Sequence, residues 1–157
     1  MKTASLKELK TELSTLPPSQ VLDLCMHLAK YKKENKELLT YLMFEANDEK
    51  HYIKKVKALV DELFDDVNKS SVFLAKKTIR KILRHINKYI KYSGSKQTEV
   101  ELRMYFCKKM KRKAIPMTVN TVLGNLYFSQ ILKINKTLAT LHEDLQYDYI
   151  EEMKELI

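Results

Sequence analysis

Basic side chains of residues 76–113 are the most concentrated set in this chain that could do chemistry. The segment holds 14 Lys and Arg against Glu99 and Glu101, a net charge of +12, whereas the whole chain has +9. Lys and Arg that neutralise phosphates release counterions, which makes binding salt-dependent. The segment therefore predicts a nucleic-acid or anion contact surface made by Lys76, Lys77, Arg80, Lys81, Arg84, Lys88, Lys91, Arg103, Lys108, Lys109 and Arg112.

Helical periodicity predicts that these cations are segregated from the apolar residues. At about 100° per residue, the cations between Lys76 and Lys91 share one arc, with Tyr92 and His85 at its edge. A separate arc holds Ala75, Ile79, Ile82, Leu83, Ile86 and Ile90. One side should pack on a core and the other should be cationic. The alternative is a solubilising surface, partly neutralised by the acids of residues 61–66 or 143–155.

Carboxylates cluster at Asp61, Glu62, Asp65 and Asp66. Side chains four apart on a helix are neighbours, so this cluster could hold Mg²⁺ or part of a di-metal centre. Such centres usually add Glu-x-x-His motifs from other helices, and the sequence has none. We therefore expect a solvated acidic helix end, which could face the basic helix that follows.

No catalytic, metal or cofactor site is predicted from the remaining residues. Two Gly are too few for the loops that cradle phosphates. Cys25 and Cys107 lack CxxC spacing, so two buried, reduced thiols are expected. The histidines lack a metal-binding spacing and stand at positions 27, 51, 85 and 142.

Composition predicts an all-α fold. Gly and Pro punctuate turns, and a chain with only two Gly and three Pro must spend most of its length in long regular elements. Hydrophobic residues make up 45%, enough for a core. We expect residues 1–157 to form a single all-helical domain, an antiparallel array of about seven or eight amphipathic helices, arranged as an irregular bundle or a short helical-repeat-like solenoid.

Caps and breakers place the helices. Ser5 to Glu8 reads as a capping box, the two prolines at 17 and 18 should end the first helix, and Gly94 marks the strongest turn. Asn47 or Asp48 and Ser70 or Ser71 should cap the fourth and fifth helices. The expected helices cover about residues 6–16, 19–33, 34–46, 48–67, 71–92 and 97–113. Residues 118–157 could be one helix, or two that meet near residues 135–137, which we favour.

The opening resembles a known family. A Leu-rich first helix, then Leu16-Pro17-Pro18-Ser19-Gln20-Val21-Leu22-Asp23-Leu24 and Leu28-Ala29-Lys30-Tyr31-Lys32, followed by Ala75-Lys76-Lys77-Thr78-Ile79, resembles a bacterial family of helical proteins known only as a domain of unknown function. The resemblance covers about the first 90 residues. It implies an all-helical fold and supplies no activity or functional residue.

The sequence favours a non-catalytic helical binding or scaffold module that engages a protein partner. Nucleic-acid binding through residues 76–113 is the alternative. An enzyme ranks third, because distant residues of a helical fold can assemble a site that no motif announces. No run approaches the ~20 apolar residues that span a bilayer, and the start lacks the apolar stretch of a signal peptide. We therefore expect a cytoplasmic protein without membrane insertion.

Overall fold

The chain folds into helices, as predicted. The structure, a computed structural model, describes residues 2–157; within them it has eight α-helices, no strand and 78% helical residues. The all-α expectation is confirmed. The helices are α1 (Leu6–Thr15), α2 (Pro18–Tyr31), α3 (Lys33–Thr40), α4 (Glu49–Asp65), α5 (Val72–Ser93), α6 (Lys96–Arg112), α7 (Val122–Leu138) and α8 (Glu143–Lys154), and a π-helical turn covers Tyr41–Glu45.

Most of the predicted caps are present. The Ser5 hydroxyl accepts from the Glu8 amide at 3.3 Å, and the Glu8 carboxylate accepts from the Ser5 amide at 2.7 Å. This charge-assisted bond lowers the pKa of the Glu8 carboxyl. Asp48 caps α4 and Ser71 caps α5. Gly94 ends α5 with a φ of 67°, the left-handed conformation that glycine adopts without steric cost.

Two boundaries differ from expectation. Pro18 lies inside the first turn of α2, where its missing N–H costs nothing, so the prolines also start a helix. Residues 118–157 do contain two helices, but the break falls at residues 139–142 and not at 135–137. Helix α7 continues through Thr137 because Leu138, the next residue, is buried in the core.

Two compact units make up the structure, one that ends at Phe44 and one that covers Glu45–Ile157. In the first, α2 packs on α3 and the two are joined by Lys32 alone, whose backbone is extended. The Asn35 amide donates to the Leu28 carbonyl at 2.8 Å across this joint. None of the residues of α1, α2 or α3 is buried. The expectation of one single domain stays a prediction.

Helix α6 is the centre of the second unit, a helical bundle. It packs on α4, α5 and α7, and its buried residues lie around most of its circumference. A helix with apolar residues on all sides is typically buried. The buried residues of α6 are Thr98, Val100, Leu102, Arg103, Met104, Phe106, Cys107 and Met110. The neighbouring helices α5 and α7 are therefore held side by side on α6.

Candidate nucleic-acid interface

A groove opens between α5 and α7. The backbones of both helices approach α6 more closely than they approach each other, which leaves a cavity of about 580 Å³. We call it the basic groove. Its lining consists of Phe73, Lys76, Lys77, Arg80, Leu83, Arg84, Asn87, Leu126, Ser129, Gln130 and Lys133.

Cations dominate this lining. Five of the eleven residues are basic and none is acidic: Lys76, Lys77, Arg80 and Arg84 from α5, and Lys133 from α7. Across residues 2–157 none of the five has an ion pair with a carboxylate. The Lys76 ammonium lies 5.7 Å from the centroid of the Phe73 ring. The groove therefore presents positive charge to solvent.

The two faces of α5 explain this arrangement. All six apolar residues predicted to face the core are buried, from Ala75 to Ile90. Their packing fixes the rotation of the helix about its axis, so the predicted cationic arc points away from the core. Lys76 and Lys91 are 15 residues apart, or about 22 Å at 1.5 Å per residue. That length can face several consecutive phosphates of one strand.

Arg103 forms the support beneath the groove. Its guanidinium donates from Nη1 to Gln130 Oε1 at 2.7 Å and to Asn87 Oδ1 at 3.0 Å. Its Nε and Nη2 face Glu99 Oε1 at 2.8 and 2.7 Å. Only 6% of Arg103 is exposed. The prediction that Arg103 belongs to the contact surface is wrong, because its donors bond residues of α5, α6 and α7.

The bond from Arg103 also sets the orientation of Asn87. A guanidinium can only donate, so the Asn87 side chain must turn its oxygen toward Arg103. The Nδ2 donors of Asn87 are then left for the basic groove, which this exposed residue lines. Asn87 can donate hydrogen bonds to a phosphate or to the edge of a base.

Two of the predicted contact residues of α6, Lys108 and Lys109, are ion-paired. Lys108 Nζ lies 2.6 Å from Glu152 Oε2, and Lys109 Nζ lies 2.6 Å from Asp61 Oδ1. The hydrogen bond that Lys109 donates to Asp61 raises the pKa of Lys109. Because these ammonium groups already face carboxylates, the predicted surface does not continue from α5 onto them. Lys108 and Lys109 are thus neutralised by acids of residues 143–155 and 61–66, as the alternative interpretation expected for these regions.

Besides Arg103, Lys108 and Lys109, four further predicted contact residues lie outside the groove lining. Lys81 and Lys91 are exposed on α5, and Arg112 is exposed near the end of α6. Lys88 lies over the rings of Tyr89 and Tyr92, at 4.9 and 6.0 Å. The structure thus brings together four of the eleven predicted residues, namely Lys76, Lys77, Arg80 and Arg84.

Sequence reasoning missed Phe73 and Lys133. Phe73 falls within the cationic arc, and 68% of it is exposed, a sign that was readable from the helical wheel. Lys133 had no such sign, because nothing in the sequence pairs α7 with α5. Gln130, which lies on the same helix and also lines the groove, is polar but buried.

The other candidate sites behave as structural features. Asp61 accepts from the Tyr105 hydroxyl at 2.7 Å and Asp65 pairs with Lys113 at 2.7 Å, which lowers the pKa of Asp65. Within residues 2–157 no group of three His, Cys, Asp or Glu is placed to hold a metal ion. Cys107 is buried as expected, and burial raises the pKa of its thiol to about 12. The same expectation is wrong for Cys25, which is exposed because no residue of α2 is buried.

The same described residues include no helix with the length and apolarity to cross a membrane. Comparisons with protein-family models, curated proteins and solved structures found no match for this chain. The resemblance of its first 90 residues to a bacterial helical family therefore stays a prediction.

Proposed function

We propose that residues 45–157 bind single-stranded nucleic acid in the basic groove. One observation carries this proposal: five cations from two helices line a single groove that has no carboxylate in its lining. A ligand with closely spaced negative charges is what such a lining would stabilise most. Nucleic-acid backbones are ligands of this kind.

Phe73 favours a single strand over a duplex. Proteins that bind single strands combine a positively charged groove with aromatic side chains on which bases stack. Phe73 is mostly exposed and lies in the lining beside Lys76. In a duplex the bases are already stacked on one another, so Phe73 would have no base to receive.

In the proposed mechanism, the cations of the groove and two of its uncharged side chains, Phe73 and Asn87, contact different parts of the nucleic acid. Arg80, Arg84 and Lys133 contact phosphates, which gives affinity without sequence preference. Phe73 stacks on a base, and the Nδ2 donors of Asn87 add a hydrogen bond. We therefore expect weak dependence on sequence and strong dependence on salt.

A salt titration tests the proposal. Fluorescence anisotropy with a labelled 20-nucleotide single strand should give a micromolar Kd at low salt. If all five groove cations contact phosphates, affinity for a single strand should fall about 100-fold between 50 and 200 mM salt. The titration compares single-stranded DNA, single-stranded RNA and a duplex of the same sequence. The duplex should bind more weakly than either of the two single strands.

Charge reversal locates the site. The double variant Arg80→Glu/Arg84→Glu should weaken single-strand binding at least 10-fold and reduce the salt dependence. Its matched control is Lys50→Glu/Lys54→Glu, which changes the net charge equally at two exposed positions of α4. Absence of binding at low salt, or an equal loss in both double variants, would contradict the proposal.

Cytoplasmic location stays a prediction. The two cysteines are free, one exposed and one buried, which agrees with a reducing compartment. A protein partner is also still expected, but the five cations of the basic groove favour a ligand with closely spaced negative charges.

A further inference from the structure

A second groove lies in the unit that ends at Phe44, between α2 and α3. Its volume is about 560 Å³, and we call it the N-terminal groove. The floor is apolar and consists of Met26, Ala29, Leu39, Met43 and Phe44. The rim is basic and consists of Lys30, Lys32, Lys33 and Lys36. No acidic residue lines it.

The lysines of the rim leave most of their charge open to solvent. Across residues 2–157, Lys30 and Lys36 have no ion pair. Lys33 reaches Glu37 only at 3.9 Å, the edge of ion-pair distance. Lys32 lies 5.9 Å from the ring centroid of Tyr31, its neighbour in sequence. An occupant with acidic side chains would complement this rim.

The apolar floor of the N-terminal groove would be complemented by an apolar surface on the same ligand. Phe44 is 72% exposed and Met43 is also exposed, so both would bury area against a partner. Methionine is flexible and polarisable, and it is over-used at surfaces that receive varied apolar side chains. The short, fixed joint between α2 and α3 holds the two walls of the groove in place.

From this combination we infer that the N-terminal groove binds an amphipathic helix of a partner protein, whose polar side is acidic. A helix laid in a groove presents apolar residues at i, i+3, i+4 and i+7, which meet the floor. Its glutamates or aspartates then flank the contact and meet the lysine rim. A nucleic acid would match the rim, but its backbone would leave the apolar floor uncovered. The inference goes beyond nucleic-acid binding, because it concerns another groove and another class of ligand.

Two designed peptides test this chemistry on the full chain. Both have about 18 residues, or ~27 Å as a helix, and the same leucine stripe; one has glutamates on its polar side and the other has lysines. The acidic peptide should bind with a micromolar Kd in isothermal titration, and the basic peptide should bind at least 10-fold more weakly. Equal binding of the two peptides would overturn the inference.

Variants place the peptide in the groove. Lys30→Glu/Lys36→Glu should weaken the acidic peptide at least 10-fold, whereas the matched control Lys7→Glu/Lys10→Glu on α1 should not. Both double variants should bind the single-stranded oligonucleotide as the parent chain does, which separates this inference from the proposed function. Unchanged peptide binding in Lys30→Glu/Lys36→Glu, or loss of oligonucleotide binding there, would contradict it.

A second copy of the chain is the competing occupant. Sedimentation of the parent chain and of Met43→Ser/Phe44→Ser decides between the two. A monomeric parent that binds the acidic peptide supports the inference, and loss of that binding in the serine variant places the contact on the floor. A dimer that the serine variant dissociates would assign the groove to self-association and overturn it.

Discussion

Arg103 and Gln130 lie on different helices and are joined by a 2.7 Å hydrogen bond beneath the basic groove. The same guanidinium also holds Asn87 and Glu99. Through this one side chain, α6 fixes the distance between the two walls that carry the cations. The groove therefore depends on a buried residue that does not face its ligand.

Removal of Arg103 should destabilise the fold. Breaking a buried ion pair costs about 3–5 kcal/mol because a charge is left without its partner. Since 25% of the Glu99 side chain stays exposed, we expect Arg103→Met to lower the free energy of unfolding by an amount near the lower end of that range. Urea unfolding followed by circular dichroism measures it.

Two further variants define the cause of that loss. Arg112→Met removes an exposed cation near the end of α6 and should change stability by less than about 0.5 kcal/mol. The double variant Arg103→Met/Glu99→Leu should lose less than Arg103→Met alone, because the carboxylate without a partner is also removed. A double variant that is less stable than the single one would contradict the ion-pair explanation.

Phe73 should contribute to single-strand binding through stacking. Stacking of a base on an aromatic side chain is worth about 1–3 kcal/mol, so Phe73→Ala should raise the Kd about 5- to 150-fold. The matched control is Val72→Ala, which shortens the neighbouring exposed apolar side chain on the same helix. If the two variants lose affinity equally, Phe73 does not stack on a base.

Alkaline conditions should destabilise the bundle through Tyr127. Its hydroxyl donates to the Leu156 carbonyl at 2.6 Å, and burial raises the pKa of its phenol to about 12 from an ordinary value of 10.0. Between these values the folded state binds more protons than the unfolded state, so stability falls as pH rises. The contribution of Tyr127 is complete below pH 10 and is lost as pH rises toward 12.

Tyr127→Phe tests this assignment. The variant should be less stable near neutral pH, because the bond to Leu156 is gone, but its stability should fall less steeply between pH 10 and pH 12. The matched control is Tyr147→Phe, which removes the hydroxyl of an exposed tyrosine. Urea midpoints at several pH values give both slopes. Equal slopes in the parent chain and in Tyr127→Phe would refute the role of Tyr127.

The two glycines should respond differently to substitution. A Cβ at Gly124 would lie 2.1 Å from the Thr118 carbonyl oxygen, so the turn before α7 would have to move. A Cβ at Gly94 would lie within 4 Å of no atom. The destabilisation by Gly94→Ala therefore comes only from holding alanine in the left-handed conformation, which costs about 1–2 kcal/mol. We expect Gly124→Ala to lose more than Gly94→Ala in urea unfolding. Gly94→Asn should be milder than Gly94→Ala, because asparagine adopts this conformation more readily.

Local signals predicted the helices well. Ser5, Asp48, Ser71 and Gly94 act through hydrogen bonds or backbone conformations within a few residues of themselves, so their roles could be read directly. The buried face of α5 was equally readable, because its apolar residues repeat with the helical period. The end of α7 was misplaced because tertiary packing of Leu138 overrides the polar residues before it.

Only part of the candidate site could be predicted from the sequence. The cations of α5 were identified, but the sequence could not tell them from those of α6, which differ only in their neighbours. Lys108 and Lys109 face carboxylates from α8 and α4, 44 and 48 residues away along the chain. Such pairings depend on how helices are arranged in space, and neither charge nor periodicity contains that information. For the same reason Lys133 was not predicted.

The separation of roles on α5 has a consequence for how this protein can diverge. Its buried side anchors the helix, whereas the groove cations bear no part of the core. If the groove binds nucleic acid as proposed, changes at Arg80 or Arg84 should alter that affinity while the fold persists. The buried residues of α6 have no such freedom, because a change there disturbs packing against α4, α5 or α7. We therefore expect related chains to differ more in the groove residues than in the fold.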